Sequence, residues 1–182
     1  MKAIENQEGF TLIEIIVTVV ILGIVLTIAG ISFKGLLWSN QVKVAVNDYV
    51  TTLGFARSEA VTRGQVVAVC RSINATAANV PGTPVPSCST AAGAGWETGY
   101  IVFADADADG VRDANEELLR IVPGQRGGVT LTGGSANVTN VIRYAGTGFL
   151  TGSGEGVVTV SNNDHTFQVQ ISPTGRVRTQ RP

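Results

Sequence analysis

Histidine, cysteine, net charge and early proline are all scarce in this 182-residue chain. Its single histidine, His165, cannot complete a multi-histidine metal site, and a Ser-His-Asp hydrolase would have to rest on it alone. The two cysteines, Cys70 and Cys88, form no CxxC pair, which removes zinc-ribbon and thioredoxin-like readings. Formal net charge is -1, so the chain as a whole has no bulk attraction for nucleic acid or acidic membranes. Polyanion contact would have to come from a local patch. No proline precedes Pro81, so nothing ahead of it forbids a long helix. No internal repeat is evident, and the length suits one small globular domain plus a long helix.

Hydrophobic residues make up 44% of the chain, concentrated from Phe10 to Phe33. In that run, FTLIEIIVTVVILGIVLTIAGISF, Glu14 is the only charged residue. A helix of this length can cross the roughly 30 Å hydrocarbon core of a bilayer. A secretory signal carries its apolar region before the cleavage site. Here the cleavage signal, Gly9-Phe10, lies ahead of the run, behind the polar leader MKAIENQEG. Cutting there would remove residues 1–9 and keep the apolar helix in the mature chain. An uncleaved signal anchor would need neither Gly9 nor Glu14. A carboxylate at membrane depth costs on the order of 3 kcal/mol and marks a partner. The new α-amine of Phe10 on a neighbouring subunit is a suitable counter-charge.

GFTLIEIIVTVVILGI resembles the class III prepilin signature. The resemblance implies that a prepilin peptidase cuts after Gly9 and N-methylates Phe10. It also implies that Glu14, fifth in the mature chain, serves assembly with other pilins. Two departures stand out. The leader has one lysine, Lys2, against Glu5 and Glu8, and Ile31 stands where many relatives carry proline. No proline kink is therefore expected, although Gly30 and Gly35 leave the region soft.

From Lys34 the pattern turns amphipathic: Val42, Val46, Tyr49, Leu53, Ala56 and Ala60 form one apolar stripe. One helix from about Phe10 to Arg63, roughly 80 Å long, is expected, stopped by Gly64. Beyond it QVVAVC, YIVFA, LLRIV, VTLT, VIRYA, VVTV and TFQVQIS read as strands between turn residues. The fold expected is α+β, with an antiparallel sheet wrapped on the amphipathic half of the helix. In order, ARSEAVTRGQVVAVCRS, GWETGYIVFADADADG, LLRIVPG, VIRYAGTGF and ISPTGRVR resemble the GspH/FimT family of minor pilins and pseudopilins. That resemblance implies a type IV pilin-like fold and a structural subunit, not an enzyme. The division expected is a leader at 1–9, a membrane-spanning half-helix at 10–33, an amphipathic half at 34–63 and a β-rich periplasmic domain at 64–182.

Three local groups carry further chemistry. In an oxidising periplasm Cys70 and Cys88 are expected to form a disulfide. Asp105, Asp107, Asp109, Gly110 and Glu116 fit D-x-D-x-D-G-x5-E, the calcium-loop pattern. In an EF-hand, however, that loop joins two helices, whereas here YIVFA leads in and LLRIV leads out as strands. A solvated acidic hairpin loop without a cofactor is the preferred reading. Finally, SPTGRVRTQRP holds Arg176, Arg178 and Arg181 with no acid after Asp164. If GRVRT is extended, Arg176 and Arg178 share a face while Val177 points inward. Two aligned guanidiniums, with Arg181 as a mobile third, can grip phosphates without reading bases. The segment resembles the C-terminal GRxR motif of the FimT branch, which is associated with DNA binding in natural transformation. Edge-strand arginines that prevent aggregation are the plainer alternative. Arg143 and Arg126 are candidates to extend the patch.

The function expected is that of a minor pilin at the inner membrane, helping to initiate or cap a type IV pilus and displaying a DNA-gripping tail. The alternative is a type II secretion pseudopilin with no need of the tail. Expected partners are other pilins and minor pilins, the peptidase, a pilus or secretion assembly platform, the membrane, and DNA.

Overall fold

The computed structural model describes residues 9–75, 85–91, 95–135, 138–152, 154–163 and 165–182, with the side chains of 28–34 not among those described. The leader therefore lies outside the described residues except for Gly9. Helix α1 spans Leu12–Arg63. Thr11 caps it, its hydroxyl accepting the Glu14 N–H at 3.3 Å, which satisfies one of the first-turn donors. At the other end the Gly64 N–H reaches the Ala60 carbonyl at 2.9 Å, and Gly64 has φ +66. A glycine adopts that left-handed cap without a Cβ penalty.

The chain divides into two compact units, Met1–Leu37 and Trp38–Pro182. In the first, the described apolar side chains from Leu12 to Leu26 are all about half-exposed or more. Thr18 and Thr27 turn their hydroxyls back onto the Ile15 and Ile24 carbonyls, at 2.9 and 2.7 Å. Those bonds remove two polar groups from an otherwise apolar surface. Among the described residues no helix is long and apolar enough to cross a membrane. Part of the expected span, residues 28–33, lies outside the described side chains.

The second unit packs the rest of α1 against two antiparallel four-stranded sheets. The strands are β1 (Val67–Arg71), β2 (Gly99–Ala104), β3 (Leu118–Pro123), β4 (Thr130–Gly133), β5 (Val141–Tyr144), β6 (Gly156–Asn162), β7 (His165–Ile171) and β8 (Val177–Gln180). The first sheet runs β3-β2-β1-β5 and the second β4-β6-β7-β8. The α+β arrangement of helix on antiparallel strands is thus present, with the strands shared between two sheets. Val42, Val46, Tyr49, Leu53, Ala56 and Ala60 are all buried, in one core with inward residues of both sheets. Tyr49 stacks edge-to-face on Tyr100 at 5.5 Å and lies 5.4 Å from Trp96. Edge-to-face pairs of this kind add to the area they bury.

The two sheets differ on their outer faces, and the sequence reflects it. In the first, β1 and β2 are buried at every position, because their far-side residues Ala68, Cys70, Ile101 and Phe103 form a second apolar cluster with Ala75, against which Cys88 packs. Strands buried on both faces read as unbroken apolar runs. In the second, β6 and β7 alternate in burial, with Val158, Val160, Val169 and Ile171 buried between more exposed neighbours. That pattern leaves one face of the second sheet to solvent.

Candidate functional site

The β7–β8 hairpin carries the C-terminal arginines. Gln170 pairs with Arg178 and Ile171 with Val177, and the Ser172 N–H donates to the Arg176 carbonyl at 3.0 Å. Alternation then sets Val177 against the core while Arg176 and Arg178 are exposed. Arg181, beyond the end of β8, is exposed as well. The connecting turn closes with the Gly175 N–H on the Ser172 carbonyl at 2.8 Å, around Pro173 and Thr174. Gly175 has φ +73, and a Cβ there would overlap the Gly148 carbonyl oxygen and lie 3.2 Å from Arg57 Nε.

Arg57 of α1 clasps this turn, donating to the Thr174 carbonyl at 3.1 Å. The Leu150 N–H donates to the Pro173 carbonyl at 3.0 Å, so the loop after β5 holds the turn from a second side. The three stretches that meet here, around Arg57, Gly148 and Gly175, lie far apart in the sequence, and no local pattern pairs them. Of the two arginines expected to extend the patch, Arg143 does not. It lies on β5 of the first sheet and donates to the Ala108 carbonyl within the acidic loop. Arg126 is exposed in the connection leading to β4, at the opposite edge of the second sheet from β8.

In the acidic loop, carboxylate oxygens of Asp105, Asp107 and Asp109 gather within 4.8 Å of one another. Asp105 is buried and accepts the Asp109 and Gly110 N–H groups, each at 3.1 Å. Burial, and then the charge of Glu116, push its carboxyl up to about 6. Glu116 is also buried; its two oxygens accept the Ala106 N–H at 2.8 Å and the Asp113 N–H at 3.0 Å. The expected twelfth-position carboxylate thus binds backbone, and the Arg143 guanidinium occupies a loop carbonyl.

Cys70 and Cys88 are joined, with 5.5 Å between their Cα atoms. Arg71, not singled out from sequence, completes this fastening: its buried guanidinium donates to the Ser89 and Ala91 carbonyls at 2.9 and 2.7 Å. At the N-terminus Gly9 and Phe10 are exposed, and Glu14 sits in the first turn of α1. Thr11 and Glu14 match the T-x-x-E capping pattern, a local signal that sequence reading passed over. The Glu14 carboxylate makes no hydrogen bond or ion pair among the described residues.

Residues 45–175 match the family model described as type II transport protein GspH, and residues 5–30 match the prokaryotic N-terminal methylation motif. Among solved structures the chain is similar to the Pseudomonas aeruginosa type IV minor pilin FimU. In one crystal form the identity is 20% and the TM-score 0.56, over 78% of this chain and 89% of that one. In a second form the values are 17% and 0.50, over 76% and 91%. No curated protein matches the chain. At these identities the likeness to FimU is one of fold.

Proposed function

The chain belongs to the GspH family, behind a prokaryotic N-terminal methylation motif, and on that premise we propose that it is a minor type IV pilin whose C-terminal hairpin grips DNA. The family is one of structural pilins and pseudopilins. The observation that carries the DNA reading is the exposed pair Arg176 and Arg178 on a hairpin fastened by Arg57 and Gly175. A rigid ribbon offers both guanidiniums at little ordering cost, and phosphates need only charge and hydrogen-bond donors. In this reading the peptidase cuts between Gly9 and Phe10, the apolar half of α1 anchors the chain in the inner membrane, and the β domain lies in the periplasm. Glu14 then pairs with the Phe10 amine of a neighbouring pilin.

Three arginines neutralise about three phosphates, so log affinity falls with log salt at a slope no steeper than roughly -3. Binding is weak and indifferent to sequence, with avidity supplied by other pilins. Salt titration of duplex binding tests this: Arg176→Gln with Arg178→Gln should abolish most of it, and unchanged binding would place the site elsewhere. A type II secretion pseudopilin is the second reading, favoured by the description of the matching family. Deleting the gene separates the two: loss of piliation or DNA uptake supports the pilin, and loss of protein secretion supports the pseudopilin.

A further inference from the structure

A shallow hollow opens on the solvent face of the β7–β8 hairpin, lined by Gln170, Ser172, Thr174, Arg176 and Arg178. Gln170, Ser172, Arg176 and Arg178 alternate along the ribbon and so share a face, and Thr174 lies in the turn between them. The pairing sets Gln170 opposite Arg178, and the Ser172 N–H on the Arg176 carbonyl sets those two across from each other. Each arginine therefore has a neutral hydrogen-bonding residue opposite it, with Cβ atoms about 5 Å apart across the ladder. Ser172 Oγ lies 3.3 Å from the Arg176 carbonyl and 2.9 Å from Thr174 Oγ1. With the Ser172 proton on that carbonyl, Thr174 is free to turn its own proton outward for the loss of one weak bond. The strands of this sheet, TLTG, GVVTVSN, HTFQVQI and VRTQ, contain no acidic residue. The acid nearest in the register is exposed Glu155, just before Gly156, which pairs with Ile171.

From this juxtaposition we infer that the hollow seats a single phosphodiester group, held by the Arg176 and Arg178 charges and oriented by the Thr174 hydroxyl and the Gln170 amide. This rests on the nucleic-acid reading above and adds two neutral contact residues to it. Arginines alone would hold any polyanion by charge. A built seat adds donors whose contribution does not depend on counterion release, because neutral groups displace no counterions from the duplex.

The experiment is a set of salt titrations of a fluorescent mixed-sequence duplex against the full chain in neutral-lipid nanodiscs. Wild type is compared with Thr174→Val, Gln170→Leu, Arg178→Gln and Glu155→Gln. Thr174→Val and Gln170→Leu should each weaken binding about 3- to 10-fold at every salt concentration, on lines parallel to wild type. Arg178→Gln should lower the slope by about 1, and Glu155→Gln should tighten binding at low salt. If both neutral variants superimpose on wild type, the seat is overturned while the DNA reading stands. If wild type fails to bind duplex at low salt, that reading falls and the seat with it. If it instead binds phosphatidylglycerol vesicles and no duplex, the ligand is a lipid headgroup and the inference for nucleic acid is wrong.

Discussion

Gly175 shows how one residue can govern a site it does not touch. Its positive φ and the nearness of Tyr144, Arg57 and Gly148 leave no room for a side chain. Gly175→Ala should cost about 2 to 4 kcal/mol, from left-handed strain plus overpacking, whereas Thr174→Ala at the exposed tip should stay within about 0.5 kcal/mol. Urea unfolding of both variants checks this. Asp105 offers a second residue-scale test. With its folded carboxyl at about 6 against an ordinary 3.8, the folded state holds the proton more tightly than the unfolded one. Its contribution therefore favours folding below about pH 4 and is lost as pH rises through about 6. The difference in unfolding midpoint between wild type and Asp105→Asn should shift across that window and level off above it. Calcium should bind no tighter than about millimolar, since Glu116 is engaged by backbone and Arg143 brings a positive charge to the loop. Micromolar affinity in a calorimetric titration, lost in Asp107→Ala, would reverse that expectation.

Among the elements, the α1 stripe and the strands were legible because each depends on periodicity within a short window. The stripe from Val42 to Ala60 is buried as its spacing requires. The fastening of residues 85–91 over β1 is a different kind of feature. Cys88 was legible as the only partner for Cys70, but the Arg71 bonds to Ser89 and Ala91 needed the folded chain. Mass mapping without reductant should find Cys70 linked to Cys88. Reduction should destabilise the domain by about 3 kcal/mol on the chain-entropy account, and full alkylation of both thiols without reductant would exclude the bridge. The cover over Ala68 and Phe103 should loosen on reduction, measurable as faster amide exchange in β1.

For the whole molecule, the first unit carries the tests of processing and assembly. Its apolar side chains from Leu12 to Leu26 lie exposed, and Glu14 has no partner among the described residues. Gly9→Val should block removal of the leader, seen by mass spectrometry as an intact Met1 in protein taken from cells. Normal cleavage of that variant would refute the prepilin reading. Glu14→Ala should be cleaved yet enter fibres poorly, because the Phe10 amine would then lack its counter-charge; normal incorporation would remove the pairing.

The class of the protein was decided by the order of residues alone. The F-T-L-I-E start after Gly9, the apolar run with Glu14 as its one charge, the α1 stripe and the alternation of β6 and β7 are all local patterns, governed by hydropathy and backbone geometry a few residues at a time. What folding decided is which distant pieces meet. The strands separate into two sheets, Arg57 reaches Thr174 across 117 positions, and Arg143 turns into the acidic loop 35 positions away instead of joining the C-terminal arginines. An arginine carries the same charge and length wherever it stands, so only the packing of the strands beneath it settles which carbonyl or phosphate it can reach.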